Sequence, residues 1–245
     1  MKNRYQLTVL LVSVVSASLL LFACDQKAQN NTSSGTQTST PVARSVAVGV
    51  PVKIDPALAK KGEGLYQQNC IFCHQPDAIG KPGFAPSLTN KEFLSVATNK
   101  FLMGTIRDGR PGTGMPPFAH LGRKQVEAIV AYLRDHAKLP DVSASVNAQL
   151  ESHGDPRLGE TWFHQICSSC HGFNGDGYSA GGTGTAIGKA GFLNKVTDGF
   201  IRFTIVNGRT NTRMLGFKGP AAMADLSDRE IDDIISYLRT VPSKS

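Results

Sequence analysis

Two copies of a short cysteine motif constrain the fold of this chain most strongly. The motif Cys-x-x-Cys-His reads CIFCH at residues 70–74 and CSSCH at 167–171, so the two copies begin 97 residues apart. Only one of the five cysteines, Cys24, lies outside these motifs. A motif that recurs at this distance predicts two similar structural units, each organised around its own cysteine pair.

The spacing within each motif is that of a c-type haem attachment site. Two thiols on one helical turn reach the two vinyl groups of the porphyrin, and the His that follows is held beneath the iron as its proximal ligand. Zinc binding, structural disulfides and a thioredoxin-like redox pair are the alternatives, but none explains a His directly after both pairs in a chain with six His. We therefore expect two covalently bound haem c groups. The predicted attachment residues are Cys70, Cys73 and His74 in the first unit and Cys167, Cys170 and His171 in the second.

The residues after the motifs are duplicated as well. RDGRPGTGMPPF at 107–118 aligns with VNGRTNTRMLGF at 206–217, at an offset of 99 residues. This is an internal duplication of a unit of about 90 residues. The matching pairs are Phe93 and Phe192, Leu94 and Leu193, Phe101 and Phe200, Thr105 and Thr204, Ile106 and Ile205, Gly109 and Gly208, Arg110 and Arg209, Met115 and Met214, and Phe118 and Phe217.

Each unit has the pattern of an all-α domain. A short helix leads into the cysteine motif, a middle helix is predicted near 91–107 and 190–206, and an amphipathic helix closes the unit. The closing helices have apolar residues at positions i, i+3, i+4 and i+7, and SDRE at 227–230 is a capping box. No strand-like alternation is present. The apolar positions are Val126, Ile129, Val130 and Leu133 in the first unit and Ile231, Ile234, Ile235 and Leu238 in the second.

Together these features resemble the class I cytochrome c fold, here as two tandem domains. The resemblance covers about 52–140 and 154–243. In that family a Met from the loop before the last helix coordinates the iron opposite the His. The resemblance therefore implies that Met115 completes the first haem site and Met214 the second.

Three other residues are weaker candidates for iron ligands. Met103 aligns with Arg202, and Met223 falls in a six-residue insertion of the second unit, so neither has a counterpart in the other unit. His120 is a lesser candidate for the first iron. We expect Met103 and Met223 to be packing or surface residues, and His120 to lie at the surface or near a haem propionate.

The resemblance also implies a backbone carbonyl that accepts the N–H of each proximal imidazole. Pro86 and Leu88 supply this carbonyl and a residue that packs on the ring in the first unit, whereas the second unit has Thr185 and Ile187. Because such neighbours tune a metal centre, we expect two distinct midpoint potentials. The Gly-Arg pair before each Met loop has two interpretations, a guanidinium beside a haem propionate or a solvated Arg beside a turn Gly.

The first 23 residues have the pattern of a bacterial lipoprotein signal peptide. A basic start precedes an apolar run over 7–22, which is short for a stable membrane span. LFAC at 21–24 resembles a lipobox, which implies that Cys24 becomes the lipidated N-terminus; an ordinary signal peptide or an uncleaved anchor is the alternative. Asp25 resembles an inner-membrane retention signal, so we expect the mature protein on the periplasmic side of the inner membrane.

Two polar segments separate the predicted units. Residues 25–54 are rich in Gln, Asn, Thr, Ser and Ala without apolar periodicity, which predicts a disordered tether. Pro140, Gly154 and Pro156 punctuate the second segment. The predicted organisation is a signal peptide at 1–23, a lipidated N-terminus and flexible tether at 24–54, cytochrome c domain 1 at 55–140, a linker at 141–153 and cytochrome c domain 2 at 154–245.

The net charge of +7 does not indicate nucleic-acid binding. Removal of Lys2 and Arg4 with the signal leaves +5 on the mature chain, and four haem propionates bring the loaded protein close to neutrality. The sequence also has no run rich in Lys and Arg that would indicate nucleic-acid binding.

A haem iron with a protein ligand on each face has no open position for a substrate, which indicates electron transfer rather than catalysis. We expect a membrane-tethered, periplasmic electron carrier whose redox protein donor and acceptor are membrane-associated. The alternatives are a fixed cytochrome subunit of a larger respiratory complex and an oxidoreductase enzyme, of the peroxidase or thiosulfate dehydrogenase type. The thiosulfate-oxidising family uses a distal Cys, and every Cys here already has a role; a peroxidase requires one iron without its Met.

Overall fold

A computed structural model describes residues 49–243 of the chain. The predicted signal peptide, the predicted lipidation site Cys24 and most of the predicted tether lie outside these residues. Within 49–243 the secondary structure is helical, with isolated β-bridges and no strand, so the all-α prediction is confirmed. In this part of the chain no helix is both long enough and apolar enough to cross a membrane.

The two repeat units have the same order of helices. One further short helix lies between them. The first unit contains α1 (Pro56–Asn69), α2 (Ile71–His74), α3 (Lys91–Leu94), α4 (Asn99–Asp108) and α5 (Gly122–Ala137); α6 (Ser143–Asn147) follows; the second unit contains α7 (Pro156–Trp162), α8 (Ser168–His171), α9 (Ala190–Leu193), α10 (Asp198–Asn207) and α11 (Asp228–Thr240).

The predicted middle helix is wrong in the same way in both units. The structure divides it into two helices, α3 and α4 in the first unit and α9 and α10 in the second. The second helix of each pair begins at a Thr: the side chain of Thr98 accepts a hydrogen bond from the Phe101 N–H, and that of Thr197 accepts one from Phe200. A Thr that caps a new helix in extended conformation interrupts the preceding one.

The first and last helices of each unit cross at a glycine. A Cβ atom on Gly62 of α1 would lie 1.9 Å from the Ala128 carbonyl oxygen of α5. A Cβ atom on Gly159 of α7 would lie 1.9 Å from the Asp233 carbonyl oxygen of α11. The helix backbones therefore touch, and the cysteine motif that follows is fixed against the closing helix.

The predicted closing helices are confirmed in detail. Ser227 and Glu230 form a reciprocal capping box at the start of α11. All the apolar positions predicted for the inner faces of α5 and α11 are buried. The closing helices thus contribute their apolar faces to the hydrophobic core of each unit.

The predicted linker at 141–153 is structured and packed against both units. Val146 of α6 is buried, and its carbonyl oxygen leaves no room for a side chain on the glycine of α10 that faces it. Asn147 donates a hydrogen bond to the Val96 carbonyl of the first unit (3.2 Å) and accepts one from the Thr197 hydroxyl of the second (2.7 Å). The segment therefore links the units by contacts as well as by chain continuity.

Four phenylalanines pack where the two units meet, a surface that we call the seam. The Phe93 and Phe200 rings lie 6.4 Å apart, as do the rings of Phe101 and Phe192, and Phe101 and Phe200 are 5.6 Å apart. Phe93 is the repeat equivalent of Phe192, and Phe101 of Phe200. The contacts are therefore reciprocal, as across a twofold axis.

Candidate haem sites

The first candidate site is built where α1 meets α2. The helical turn carries the thiols of Cys70 and Cys73, both partly buried, and ends at His74, which is 8% exposed. The His74 Nδ1 lies 3.0 Å from the Pro86 carbonyl oxygen. Because a carbonyl only accepts, Nδ1 carries the proton, and the unprotonated Nε2 is left to bind a metal.

The second candidate site repeats this geometry. The His171 Nδ1 lies 2.7 Å from the Thr185 carbonyl oxygen, so Thr replaces Pro without loss of the hydrogen bond. The contact is tight, because a Cβ atom on the neighbouring Gly184 would lie 2.7 Å from the imidazole ring. The first unit has Ala85 at the equivalent position. The same bond is therefore held by different side chains in the two units.

Burial prepares both imidazoles as neutral ligands. Burial lowers the pKa of His74 and of His171 below the usual value, against the opposing effect of the carbonyl hydrogen bond. The charge of Arg209 contributes further to the lowered pKa of His171. A neutral imidazole is the form that coordinates a metal, so the environment favours the ligand state at neutral pH.

The cysteines are available for thioether bonds. All four cysteines of the motifs are free thiols. Burial, with a smaller effect of the neighbouring Cys, raises the pKa of Cys70 to about 11 and that of Cys167 to about 12. Reactive thioredoxin-like cysteines have a lowered pKa instead. Within residues 49–243 no group of three or more His, Cys, Asp or Glu is arranged to hold a metal ion.

Each Met is fixed at its backbone by a hydrogen-bonded loop. The Arg110 N–H donates to the Met115 carbonyl (3.0 Å), and the Met115 N–H donates to the Thr113 hydroxyl (3.2 Å). The hydroxyl in turn donates to the Arg110 carbonyl (2.7 Å). Every one of these bonds recurs in the second unit. The corresponding residues are Arg209, Thr212 and Met214.

Glycine is required before each loop. Gly109 and Gly208 both have φ of 65°, in the left-handed region. A Cβ atom at either position would also lie within 2.7 Å of the Met115 or Met214 carbonyl oxygen. The repeated Gly, Arg, Thr and Met thus form one loop structure that presents the Met side chain, which is partly buried in both units.

The weaker ligand candidates lie in different environments. Met103 is on α4 and packs against the hydrophobic core, as the sequence predicts. Met223 is 75% exposed, and His120 is exposed in a short turn before α5. Axial ligation by Met115 and Met214 stays a prediction of the repeat.

The repeated arginines reach across the seam. The Arg110 guanidinium lies over the Phe192 ring of the second unit, 5.0 Å from its centroid, and donates to the Ala186 carbonyl. The Arg209 guanidinium lies over the Phe93 ring of the first unit at 4.8 Å. Both arginines are partly buried, so the solvated alternative is wrong.

The sequence did not predict that each arginine packs on the other unit, although the repeated Gly-Arg pair marked both residues as equivalent. Thr210, next to Arg209, makes a further contact between the units: its N–H and hydroxyl donate to the Glu92 carboxylate of the first unit, at 2.8–3.0 Å. Lys195 of the second unit forms an ion pair with Asp108 of the first (3.0 Å). The sequence analysis related the repeated arginines only to a haem propionate or to solvent, whereas these arginines and the repeated phenylalanines hold the two units together.

The residues fit a covalently bound haem in both units. Each unit presents two free thiols on one helical turn, an imidazole with Nε2 free, and a Met on a rigid loop. Cys70, Cys73 and His74 would hold one haem, and the equivalent residues of the second unit the other. The two guanidiniums nearby match the carboxylates that a haem carries.

Comparison with known proteins agrees with this geometry. Residues 57–133 match the family model "Cytochrome C oxidase, cbb3-type, subunit III", and residues 157–242 match the model "Cytochrome c". The cbb3-type cytochrome c oxidase subunit CcoP of Rubrivivax gelatinosus is 30% identical over 196 residues, which are 78% of this chain and 57% of that protein. The cytochrome bc1 complex cytochrome c subunit of Mycobacterium leprae is 28% identical over 200 residues, 76% of this chain and 62% of that protein.

The chain therefore spans about three fifths of the length of these relatives. Among solved structures, a chain of the reducing HAO-like protein complex of Kuenenia stuttgartiensis has a TM-score of 0.47 and 20% identity, with 78% of this chain and 99% of that chain covered; this likeness carries no functional argument. The two family matches fall on the two repeat units, each around its own Cys-x-x-Cys-His motif. The protein thus consists of two cytochrome c-type domains in tandem.

Proposed function

We propose that this protein is a membrane-tethered, periplasmic cytochrome that carries single electrons between a respiratory oxidoreductase and a downstream acceptor. The observation that carries the proposal is the duplicated site. In both domains a buried imidazole is oriented by a backbone carbonyl, and a Met is presented by the same hydrogen-bonded loop. Two sites built alike indicate two centres with the same task.

The side chains of each site would favour electron transfer, because they would leave the haem iron without an open coordination position. A bound haem supplies a one-electron couple between Fe(III) and Fe(II). His74 and Met115 would hold the iron in the first domain, and His171 and Met214 would hold it in the second, which would leave no ligand position for a substrate. The Pro86 and Thr185 carbonyls keep the imidazoles in place, which limits the rearrangement that accompanies each electron.

A fixed subunit of a respiratory complex is the second candidate. The relatives from Rubrivivax gelatinosus and Mycobacterium leprae are named as subunits of a cbb3-type oxidase and a bc1 complex. They are longer than this chain, and the predicted lipid on Cys24 would supply the attachment to the membrane. Co-purification from detergent-solubilised membranes separates the two forms: a shuttle elutes alone, whereas a fixed subunit elutes with its complex.

The axial ligands provide the direct test of the function. Met115→Ala and Met214→Ala should each remove half of the Met–Fe(III) charge-transfer absorption of the purified holoprotein and create one high-spin haem that binds CO. The parent protein should show neither CO binding nor turnover with peroxide or thiosulfate.

Met223→Ala is the matched control, since Met223 is exposed and should leave the spectrum unchanged. A parent protein with a CO-binding haem and measurable turnover would make it an enzyme and overturn the proposal. Loss of the absorption in Met223→Ala rather than in Met214→Ala would assign the wrong ligand to the second iron.

A further inference from the structure

We propose that Arg110 and Arg209 form a single anion site at the seam, and that this site takes carboxylates of both haem groups. The site belongs to neither domain alone, because each arginine extends from its own Met loop onto the other domain. Through it the two redox centres are coupled. The inference rests on the proposed function, since it requires both domains to carry haem.

Arg110 touches the part of the second domain that holds the proximal His. Its guanidinium donates to the Ala186 carbonyl, and the preceding carbonyl, that of Thr185, is the one that orients His171. A charge that originates in the first domain therefore lies beside the second haem site. The backbone N–H of Arg110 is bonded to Met115, so the same residue also contacts the first haem site.

Arg209 makes the reciprocal link. Its backbone N–H donates to the Met214 carbonyl, so Arg209 contacts the second haem site within its own domain. Its guanidinium covers the Phe93 ring of the first domain. The two arginines are equivalent in the repeat, so the crossing is a property of the duplicated structure.

The Arg209 guanidinium lacks an acceptor among the described residues. A guanidinium has five N–H donors, and within 49–243 those of Arg209 make no hydrogen bond or ion pair with the protein, although none of its nitrogens is fully buried. The Glu92 carboxylate, which accepts hydrogen bonds from Thr210, acts on Arg209 only through its charge. Burial, and then the charge of Arg110, lowers the pKa of Arg209 to about 10.

The two partly buried guanidiniums repel each other at the seam, and an anion bound there would offset this repulsion. A carboxylate is the anion that best matches a guanidinium, through two parallel hydrogen bonds. Each haem brings two carboxylates, and the cysteine and His residues fix both haems within the domains that the arginines touch. A free anion such as phosphate has the same attraction but no attachment, so added phosphate distinguishes the two sources.

Loss of either guanidinium should lower both midpoint potentials. A nearby positive charge stabilises the reduced iron site, which carries one more negative charge than the oxidised site. In Arg110→Gln and in Arg209→Gln, potentiometric titration of the holoprotein should therefore show a fall in the potential of both haems. The two haems are distinguished by their low-spin EPR signals, of which Met214→Ala removes the second.

Arg123→Gln is the matched control. It removes the same charge from an exposed position on α5 and should leave both potentials unchanged. Arg209→Lys keeps the charge but loses the paired hydrogen bonds, so it should lower both potentials by less than Arg209→Gln. Arg209→Lys also allows the potentials to be measured if Arg209→Gln does not acquire its haem groups.

The inference is overturned if each variant shifts only the haem of its own domain, or shifts neither haem more than Arg123→Gln does. It is also overturned if added phosphate changes the potentials of the parent protein but not those of the arginine variants, since the occupant is then a free anion. Failure of the proposed function would look different: fewer than two haems per chain, or a high-spin centre in the parent protein.

Discussion

At the residue scale, the second haem site depends on one small residue. Gly184 lies so close to the His171 imidazole that a Cβ atom would approach the ring to 2.7 Å. The carbonyl of the next residue, Thr185, accepts the imidazole proton. The sequence shows that Thr replaces Pro here, but the closeness of Gly184 follows only from the folded loop.

We expect Gly184→Ala to displace the imidazole and weaken its hydrogen bond to Thr185. A weaker bond makes the imidazole a poorer donor to Fe(III), so the midpoint potential of the second haem should rise while that of the first stays unchanged. Redox titration of the holoprotein measures both. Gly64→Ala, at a position with no atom within 4 Å of the new Cβ, is the control and should change neither. An unchanged second potential in Gly184→Ala would contradict the assignment.

The Met loops show how far residue patterns lead. The repeat predicts that Met115 and Met214 are equivalent, and the structure places them in identical loops. The repeat alone does not reveal why Thr113 and Thr212 recur. Each Thr hydroxyl accepts the Met N–H and donates to the Arg carbonyl, a role that depends on a turn which periodicity does not describe.

At the element scale, helix boundaries were harder to predict than helix faces. The apolar faces of α5 and α11 follow from a period that a long helix imposes on its own sequence. The break between α3 and α4 depends on one capping side chain, Thr98, which has the same local appearance as a Thr within a helix. The crossing at Gly62 is invisible in the pattern, because the α5 backbone that touches it is distant in sequence.

Gly62→Ala should destabilise the first domain by about 2 kcal/mol or more, because α1 and α5 must separate to admit the methyl group. Gly64→Ala lies on the same helix with open space around it, and should be neutral or stabilise by up to about 1 kcal/mol. Urea unfolding of the holoprotein, followed by circular dichroism, compares them. Equal midpoints in the two variants would show that the helices do not touch at Gly62.

At the scale of the whole molecule, the seam unites the two domains. Four phenylalanines, two crossed arginines and the packed segment at 141–153 all contribute to it. The sequence predicts the duplication and both haem sites, yet it predicts a plain linker where α6 packs on both domains. Contacts between distant segments leave no periodic trace in the chain, and this is why the seam was not predicted.

Phe200→Ala should uncouple the two domains. Phe200 is buried and contacts Phe93 and Phe101 across the seam, so its truncation should cost about 3–5 kcal/mol. In scanning calorimetry we expect the single transition of the parent holoprotein to separate into two. Phe84→Ala, at a half-exposed ring, should stay within about 0.5 kcal/mol of the parent. A single transition in Phe200→Ala would mean that the phenylalanines do not carry the coupling.

The reciprocal ring contacts have a consequence for the first domain expressed without the second. Phe93 contacts Phe200, and Phe101 contacts Phe192, so a lone copy offers to another lone copy the same surface that its tandem partner covers. Such half-length chains should pair with each other in solution. In this arrangement the two tandem domains pack like the subunits of a pseudo-symmetric dimer, and α6 connects them.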